Sequence, residues 1–197
     1  MKNVKKSGKI DGELIVDGNL ILTGDLEVEK QIKVMGYIDC AGYSIKAGYS
    51  IEAGDLIKAG YLIEAGYSIE AGYSIKADGS IKAGYSIKAG YSIEAGDWIE
   101  AGDSILAQFY IKCKTTLKAG IYIFAGIKTW SKLEDGDNLI ECGKLEGGEI
   151  KFGELKELGL PKEKESKNPK EIVIGGATYV LKENSGDYVG NNKKETK

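Results

Sequence analysis

An aliphatic residue returns at every sixth position through most of this chain, and no other feature restricts its fold as much. Ile45, Ile51, Ile57, Ile63, Ile69, Ile75, Ile81, Ile87, Ile93, Ile99, Ile105, Ile111, Leu117 and Ile123 keep the period without a break. Two positions after each anchor sits a small residue, from Ala47 and Ala53 through Ala107 to Cys113, Ala119 and Ala125. The position between them is usually Lys or Glu. A helix repeats every 3.6 residues and cannot hold such a period on one face, whereas an apolar–charged–apolar triplet has the alternation of a strand. The Gly after the Ala supplies a corner that other residues turn only at a cost. Strand and corner, repeated without hairpin loops, make a β-helix.

Three such sides close a triangular coil of about 18 residues, giving about six and a half coils from Ile10 to Gly126 and a prism about 30 Å long at ordinary strand spacing. The N-terminal segment has the same period in another form: Leu14, Leu20, Leu26, Ile32 and Ile38, followed at two positions by Val16, Leu22, Val28, Val34 and Cys40. Between Ile38 and Ile45 the spacing is seven, which predicts one inserted residue at a bulge or widened corner. Ile and Ala are expected to point inward and Lys and Glu to face water. The residue two before the anchor is Tyr in most repeats but Asp at Asp55, Asp97 and Asp103. A slot that accepts Asp is not deep core, so the tyrosines belong outside or at corners. The residue after Tyr is Ser, Leu or Trp and is read as mostly outward.

An 18-residue coil stacks side chains in columns. The first face reads Lys46, Glu64, Lys82, Glu100, Lys118; the second Glu52, Glu70, Lys88, Leu106, Phe124; the third Lys58, Lys76, Glu94, Lys112. Only the first alternates strictly in sign, so it alone is expected to neutralise itself and pin the register. Tyr49, Tyr67 and Tyr85 form one aromatic column, and Tyr73, Tyr91 and Phe109 another. Trp98, Tyr110 and Tyr122 add bulk towards the C-terminal coils. Rigid rings of this kind either stiffen the solenoid or offer contact area to a protein partner at low entropic cost. These nine residues are the candidate partner-binding site. Base stacking on the rings would need a cationic groove, which mixed Lys and Glu do not provide.

Composition narrows the chemistry. The 197 residues include no His, and all 27 basic residues are Lys, against 30 Asp and Glu. Without His, triads and Cys–His nucleophiles are excluded, together with His-containing zinc sites. Without Arg, the bidentate grip on phosphate or guanine is missing. Near-balanced charge argues against sequence-specific nucleic-acid binding. Cys40, Cys113 and Cys142 are too few for a Cys₄ site; Cys40 and Cys113 occupy the Ala slot and read as small buried residues of a reducing cytoplasm. No catalytic residue, metal or cofactor is expected. No apolar run is long enough to span a membrane, residues 1–9 lack the apolar stretch of a secretory signal, and a cytoplasmic protein of a bacterial host is expected.

The expected organisation is all-β: a flexible basic arm at 1–8, the solenoid at 9–126, irregular coils forming a C-terminal cap at 127–160, a charged linker at 161–171, a β-hairpin at 172–189 and a disordered tail at 190–197. Uncapped solenoid ends expose strand edges, so homo-oligomers through the ends or the hairpin are also expected.

Three resemblances attach to these residues. The hexapeptide period resembles the left-handed β-helix acyltransferases in architecture only, since those use a catalytic His and place Gly beside the anchor where this chain has Lys or Glu. The stretch GNLILTGDLEVEKQIKV is similar to bactofilins, which implies a polymer-forming scaffold. The AGYSIE and AGYSIK tract resembles small β-helical proteins of phages and mobile elements of AT-rich anaerobic bacteria. That resemblance implies a non-catalytic inhibitor of a bacterial defence enzyme, including the anti-CRISPR case of a Cas effector as partner. An ice-binding face is disfavoured, because Lys and Glu flank the Ser column and Thr is scarce.

Overall fold

The anchors stack as the period requires. The structure is a computed structural model that describes residues 2–40, 42–126, 134 and 136–161, together with the backbone of Glu171–Ile174, Ala177–Leu181 and Tyr188–Asn191. It is a parallel β-solenoid of about eight turns. On the first face Leu26, Ile45, Ile63, Ile81, Ile99 and Leu117 pair in succession. The second face carries Leu14, Ile32, Ile51, Ile69, Ile87, Ile105, Ile123 and Ile150. The third carries Leu20, Ile38, Ile57, Ile75, Ile93, Ile111, Ile140 and Leu155. Except for Leu155, which is exposed, these anchors and their Ala, Val, Leu or Cys partners form one core along the prism, and most of the anchors are fully buried. Partners lie 18 apart along the regular tract. The step rises to 19 wherever the rung crosses residues 39–44, so the inserted residue falls at the corner holding Gly42, which has φ +94° and a turn closed by Tyr43 N–H donating to Cys40 O at 2.7 Å.

The glycines work differently from the expectation. In the regular corners they do not have the positive φ that only Gly adopts cheaply. A Cβ on Gly66, Gly84 or Gly102 would instead run into the carbonyl oxygen of the glycine one coil earlier. Main-chain bonds such as Gly66 N–H to Ala47 O at 3.0 Å draw the coils that close.

The residue after Tyr turns inward. Ser50, Ser74 and Ser92 are buried, as is Ser80 in the same slot after Gly79; Leu62, and in the same slot Leu56 and Trp98 after Asp, are half-buried. The outward reading is corrected because a hydroxyl is small enough for the corner and bonds to its neighbour in the next coil. Ser74 and Ser92 Oγ are 3.1 Å apart, as are Ser68 and Ser86 Oγ.

Self-neutralisation also extends beyond the first face, where Lys9–Glu27, Lys46–Glu64 and Lys118–Glu100 pair at 3.1, 2.9 and 3.0 Å. The second face pairs Lys33–Glu52 and Lys88–Glu70 at 3.2 and 2.7 Å, and the third pairs Lys76–Glu94 and Lys156–Glu141 at 3.4 and 2.8 Å. Each exposed pair is worth at most about 1 kcal/mol, so the pairs select register more than they stabilise.

Both ends differ from the expectation. Asn3–Ile10 is a strand rather than a mobile arm: it pairs in parallel with Asn19–Val28, and Val4 and Ile10 pack on the core. The open donors and acceptors of the first coil hold it there, as in Asn19 N–H to Lys2 O at 2.8 Å. At the other end Leu139–Cys142, Lys144–Phe152 and Glu154–Glu157 continue the parallel ladder beyond 126. The region expected to be an irregular cap therefore includes further solenoid coil; residues 127–133 and 135 lie outside the described residues.

The chain divides into two units, Met1–Pro161 and Lys162–Lys197. In the second, Glu171–Ile174 and Ala177–Leu181 pair antiparallel, and Tyr188–Asn191 adds a third strand. Of the linker expected at 161–171 and the tail expected at 190–197, residues 162–170 and 192–197 lie outside the described residues, whereas Glu171 begins a strand and Gly190 and Asn191 end one.

Candidate protein-binding face

The order of sides in a coil decides what the tyrosines can do. Tyr49, Tyr67 and Tyr85 sit at the corner leading into the second face. Tyr73, Tyr91 and Phe109 sit at the corner leading out of it. The two aromatic columns therefore border the same face. Main-chain bonds carry the ladder through both corners: Tyr67 N–H to Tyr49 O and Tyr85 N–H to Tyr67 O are 2.7 Å, and Tyr91 N–H to Tyr73 O is 2.6 Å. The rings follow that spacing. Tyr67 and Tyr85 stack at 4.9 Å and 4°, Tyr49 and Tyr67 at 5.6 Å and 26°. Across the face, Tyr73 and Tyr91 stack at 4.8 Å and 16°, and Phe109 lies 4.0 Å from Tyr91. Tyr49, Tyr67, Tyr73 and Tyr85 remain exposed, with Tyr49 at 61%.

Between these rails the outward slot changes character along the axis. Lys33, Glu52, Glu70 and Lys88 occupy it first, beside a shallow groove of about 270 Å³ floored by Ala53, Gly54 and Gly72. Leu106 then stands in register with Lys88, Phe124 with Leu106 and Phe152 with Phe124. Three successive apolar side chains thus occupy outward slots that hold Lys or Glu in most other coils; in the first turn Ile15, in register with Lys33, and Ile21 are apolar too. Tyr122 borders this stretch, edge-on to Phe124 at 6.1 Å and under Lys151 Nζ at 4.9 Å. Lys151 is held by Glu149 at 2.6 Å.

Of the nine residues singled out from the sequence, seven border the second face: Tyr49, Tyr67, Tyr85, Tyr73, Tyr91, Phe109 and Tyr122. Tyr110 starts at the same corner but turns towards the third face. Its hydroxyl donates to Glu94 Oε1 at 2.8 Å, Lys112 Nζ lies 4.8 Å over its ring, and burial, with the acidic Glu94 alongside, raises its pKa despite an opposing hydrogen bond from Ser92. Trp98 stands half-buried at the remaining corner, between the third and first faces, away from the others. Leu106, Phe124 and Phe152 were not among the nine. Their signal was in the sequence at Leu106 and Phe124, where a Lys/Glu slot turns apolar; Phe152 joins only through the irregular pairing of the last coil.

The cysteines offer no reactive group to this face. All three are free and buried, with Cys142 following Cys113 in the inward column. Burial pushes the Cys40 and Cys113 thiols up to about 12 and Cys142 up to about 11. A thiol reagent should therefore label the native chain slowly and the unfolded chain at once. The sign of the pH effect follows. The unfolded thiols ionise near 9 while the folded ones stay protonated, so the thiol contribution to stability is whole below about 9 and declines as pH rises towards about 12. Cys113→Ala, which restores the residue usual at that slot, should flatten part of this decline in melting curves; an identical alkaline profile would contradict the burial assignment.

No family model, curated protein or solved structure matches this chain. The fold defines the class, a parallel β-solenoid.

Proposed function

We propose that this solenoid is a non-catalytic protein-binding module that docks its second face on a larger protein. The observation that carries the reading is the conjunction on one face of two aromatic rails, exposed at Tyr49, Tyr67, Tyr85 and Tyr73, and an apolar column, Leu106, Phe124 and Phe152, in slots that most coils give to Lys or Glu. Aromatic anchors fixed by a rigid scaffold lose little entropy on binding, and a desolvated apolar centre rimmed by ion pairs is the usual anatomy of a protein interface. The likeness of the AGYSIE tract to β-helical proteins of phages and mobile elements supports a narrower form: an inhibitor of a bacterial defence enzyme, such as a CRISPR nuclease, that obstructs its target without chemistry of its own.

The test begins with affinity purification from a bacterial lysate and identification of the retained protein, followed by titration of that protein against variants. Phe124→Glu should weaken binding at least about 30-fold, the loss of one central anchor, with the melting curve nearly unchanged because the side chain points outward. Tyr67→Ser with Tyr85→Ser should give a smaller loss. Full affinity in both variants would remove the second face from the interface.

A further inference from the structure

The outward column of the second face has an order of charge that the other faces lack. Lys33, Glu52, Glu70 and Lys88 follow one another in register, so two carboxylates meet at its centre with a lysine on either side. Each glutamate is held by its lysine, at 3.2 and 2.7 Å, but all four side chains remain about half exposed. The step from Glu52 to Glu70 sets like charges opposite each other on adjacent strands, which is unfavourable. A second like-charge step, Lys58 beside Lys76, lies on the third face, where charges alternate from Lys76 through Glu94, Lys112 and Glu141 to Lys156 and no apolar column follows. On the second face the charges give way to apolar side chains on both sides: Ile15, 60% exposed, before Lys33, and Leu106 and Phe124 after Lys88.

Geometry selects what can lie on that column. The ladder runs from coil to coil, so the main-chain donors and acceptors of this face are already used, and a partner strand could not join it by β-augmentation. An element running along the axis meets one outward slot about every 4.8 Å. An extended strand presents one side every second residue, about 6.8 Å, and loses step by a whole slot within about three repeats. An α-helix returns one side to the surface every turn, about 5.4 Å, and drifts only about 3–4 Å over the six steps from Ile15 to Phe124. The tyrosine rails are six residues apart around the coil, hence at most about 20 Å at ordinary strand rise, which admits a helix about 10–12 Å across.

We propose that the partner meets this face with an amphipathic α-helix laid parallel to the solenoid axis between the tyrosine rails. That helix carries two basic residues one turn apart at its centre, an acidic residue a turn beyond each, and apolar side chains at both ends. The basic pair meets Glu52 and Glu70, the acidic residues meet Lys33 and Lys88, and the apolar ends cover Ile15 on one side and Leu106 with Phe124 on the other. About 20 residues reach from Ile15 to Phe124 at the rise of a helix. The order of charge is the same read from either end, so the helix can run in either direction. The proposal rests on the second face being the protein-binding face and adds the kind of element that face takes.

Two synthetic helices of about 22 residues on an alanine background, their helicity checked by circular dichroism, test it by fluorescence anisotropy against the full chain. One carries leucines at both ends of one side and Glu, Lys, Lys, Glu at one-turn intervals between them; the other has the four charges reversed. The first should bind at least about tenfold more tightly than the second. Glu52→Lys with Glu70→Lys should abolish that preference, because each peptide then meets two attractive and two repulsive contacts. Phe124→Glu should weaken both peptides. Equal affinity of the wild type for the two peptides, a preference that the double variant leaves in place, or no binding of either peptide would overturn the helix proposal. The comparison on the wild type needs no variant, so a loss of fold in the double variant leaves the test standing. The protein retained from the lysate judges the face separately. If it loses affinity for Phe124→Glu while neither peptide binds, the helical form fails and the binding face stands; if it keeps full affinity for Phe124→Glu and for the paired tyrosine variant, the face fails whatever the peptides do.

Discussion

Ile69→Asp should collapse the centre of the solenoid. Ile69 is fully buried, with Ile51 and Ile87 in register on either side. The charge of its own rung, Glu70, and that of the next, Lys88, point to the opposite side of the sheet and bond to each other at 2.7 Å, which leaves an inward carboxylate without that cation. The substitution removes a buried aliphatic side chain and leaves an acid to be buried unpaired or held protonated, together costing about 4 kcal/mol or more. In a chain of this size that lowers the melting temperature by on the order of 10 °C. Ile69→Val, which removes only a methyl group, should cost about 1 kcal/mol. Each coil touches only its neighbours, so hydrogen exchange should accelerate first in the rungs of Ile51 and Ile87 and least at the far ends. An unchanged melting curve for Ile69→Asp would overturn the inward assignment of the whole anchor column.

That column was legible because its physics is one-dimensional. A buried slot every sixth residue, with a charge between it and the next buried slot, leaves little besides a strand and a corner, and three strands per turn then follow. The seven-residue step from Ile38 to Ile45 was legible for the same reason: a break in a strict period has to be absorbed somewhere, and the corner at Gly42 absorbs it. What the period could not say is which way a corner residue faces. Ser74 and Tyr73 are both polar-tipped and adjacent, yet the first is buried and the second exposed, and the slot of Ser74 takes Leu56 and Tyr110 in other coils, so side-chain type alone does not mark it. Nor does local composition reveal that a lysine-rich segment such as Asn3–Ile10 is strand. Its partners are the open donors and acceptors of Asn19–Val28, which exist only once the first coil has formed.

The candidate face shows the same division. Both tyrosine columns were visible from 18-residue arithmetic. Their convergence on one face depends on the order of sides around the coil, and the arithmetic treats columns as independent. Leu106 and Phe124 could have been singled out by asking where the charge slot fails. Phe152 could not, because its register with Phe124 passes through a bulge in the last coil.

Gly66→Ala should destabilise the chain towards the upper end of the roughly 1–3 kcal/mol typical of overfilling a packed interior, although it adds one methyl group at a solvent-facing corner. The reason lies between coils. The added Cβ would strike the Gly48 carbonyl, whose oxygen belongs to the backbone and cannot swing away as a side-chain tip would. Relief requires the two coils to part, which stretches the Gly66 N–H to Ala47 O and Tyr67 N–H to Tyr49 O bonds, 3.0 and 2.7 Å long, and opens the Tyr49–Tyr67 stack. At Lys114, where the slot is not Gly, the amide donates to Asp97 O rather than to an alanine carbonyl; Asp78 in the same slot keeps its bond to Ala59 O at 3.1 Å, and there the next residue, Gly79, is the one whose added Cβ would meet a carbonyl, that of Tyr61. Gly12 provides the control. It has φ +85°, and an added methyl group there would meet nothing within 4 Å, so Gly12→Ala should cost about 1 kcal/mol, from left-handed backbone alone. Asn separates the two causes, because it tolerates the left-handed region but is larger than Ala. Gly12→Asn should recover stability relative to Gly12→Ala, whereas Gly66→Asn should be at least as damaging as Gly66→Ala. Thermal melts of the four variants read this directly; recovery by Asn at both positions would mean that backbone conformation, and not the approach of one coil to the next, requires glycine at the corners.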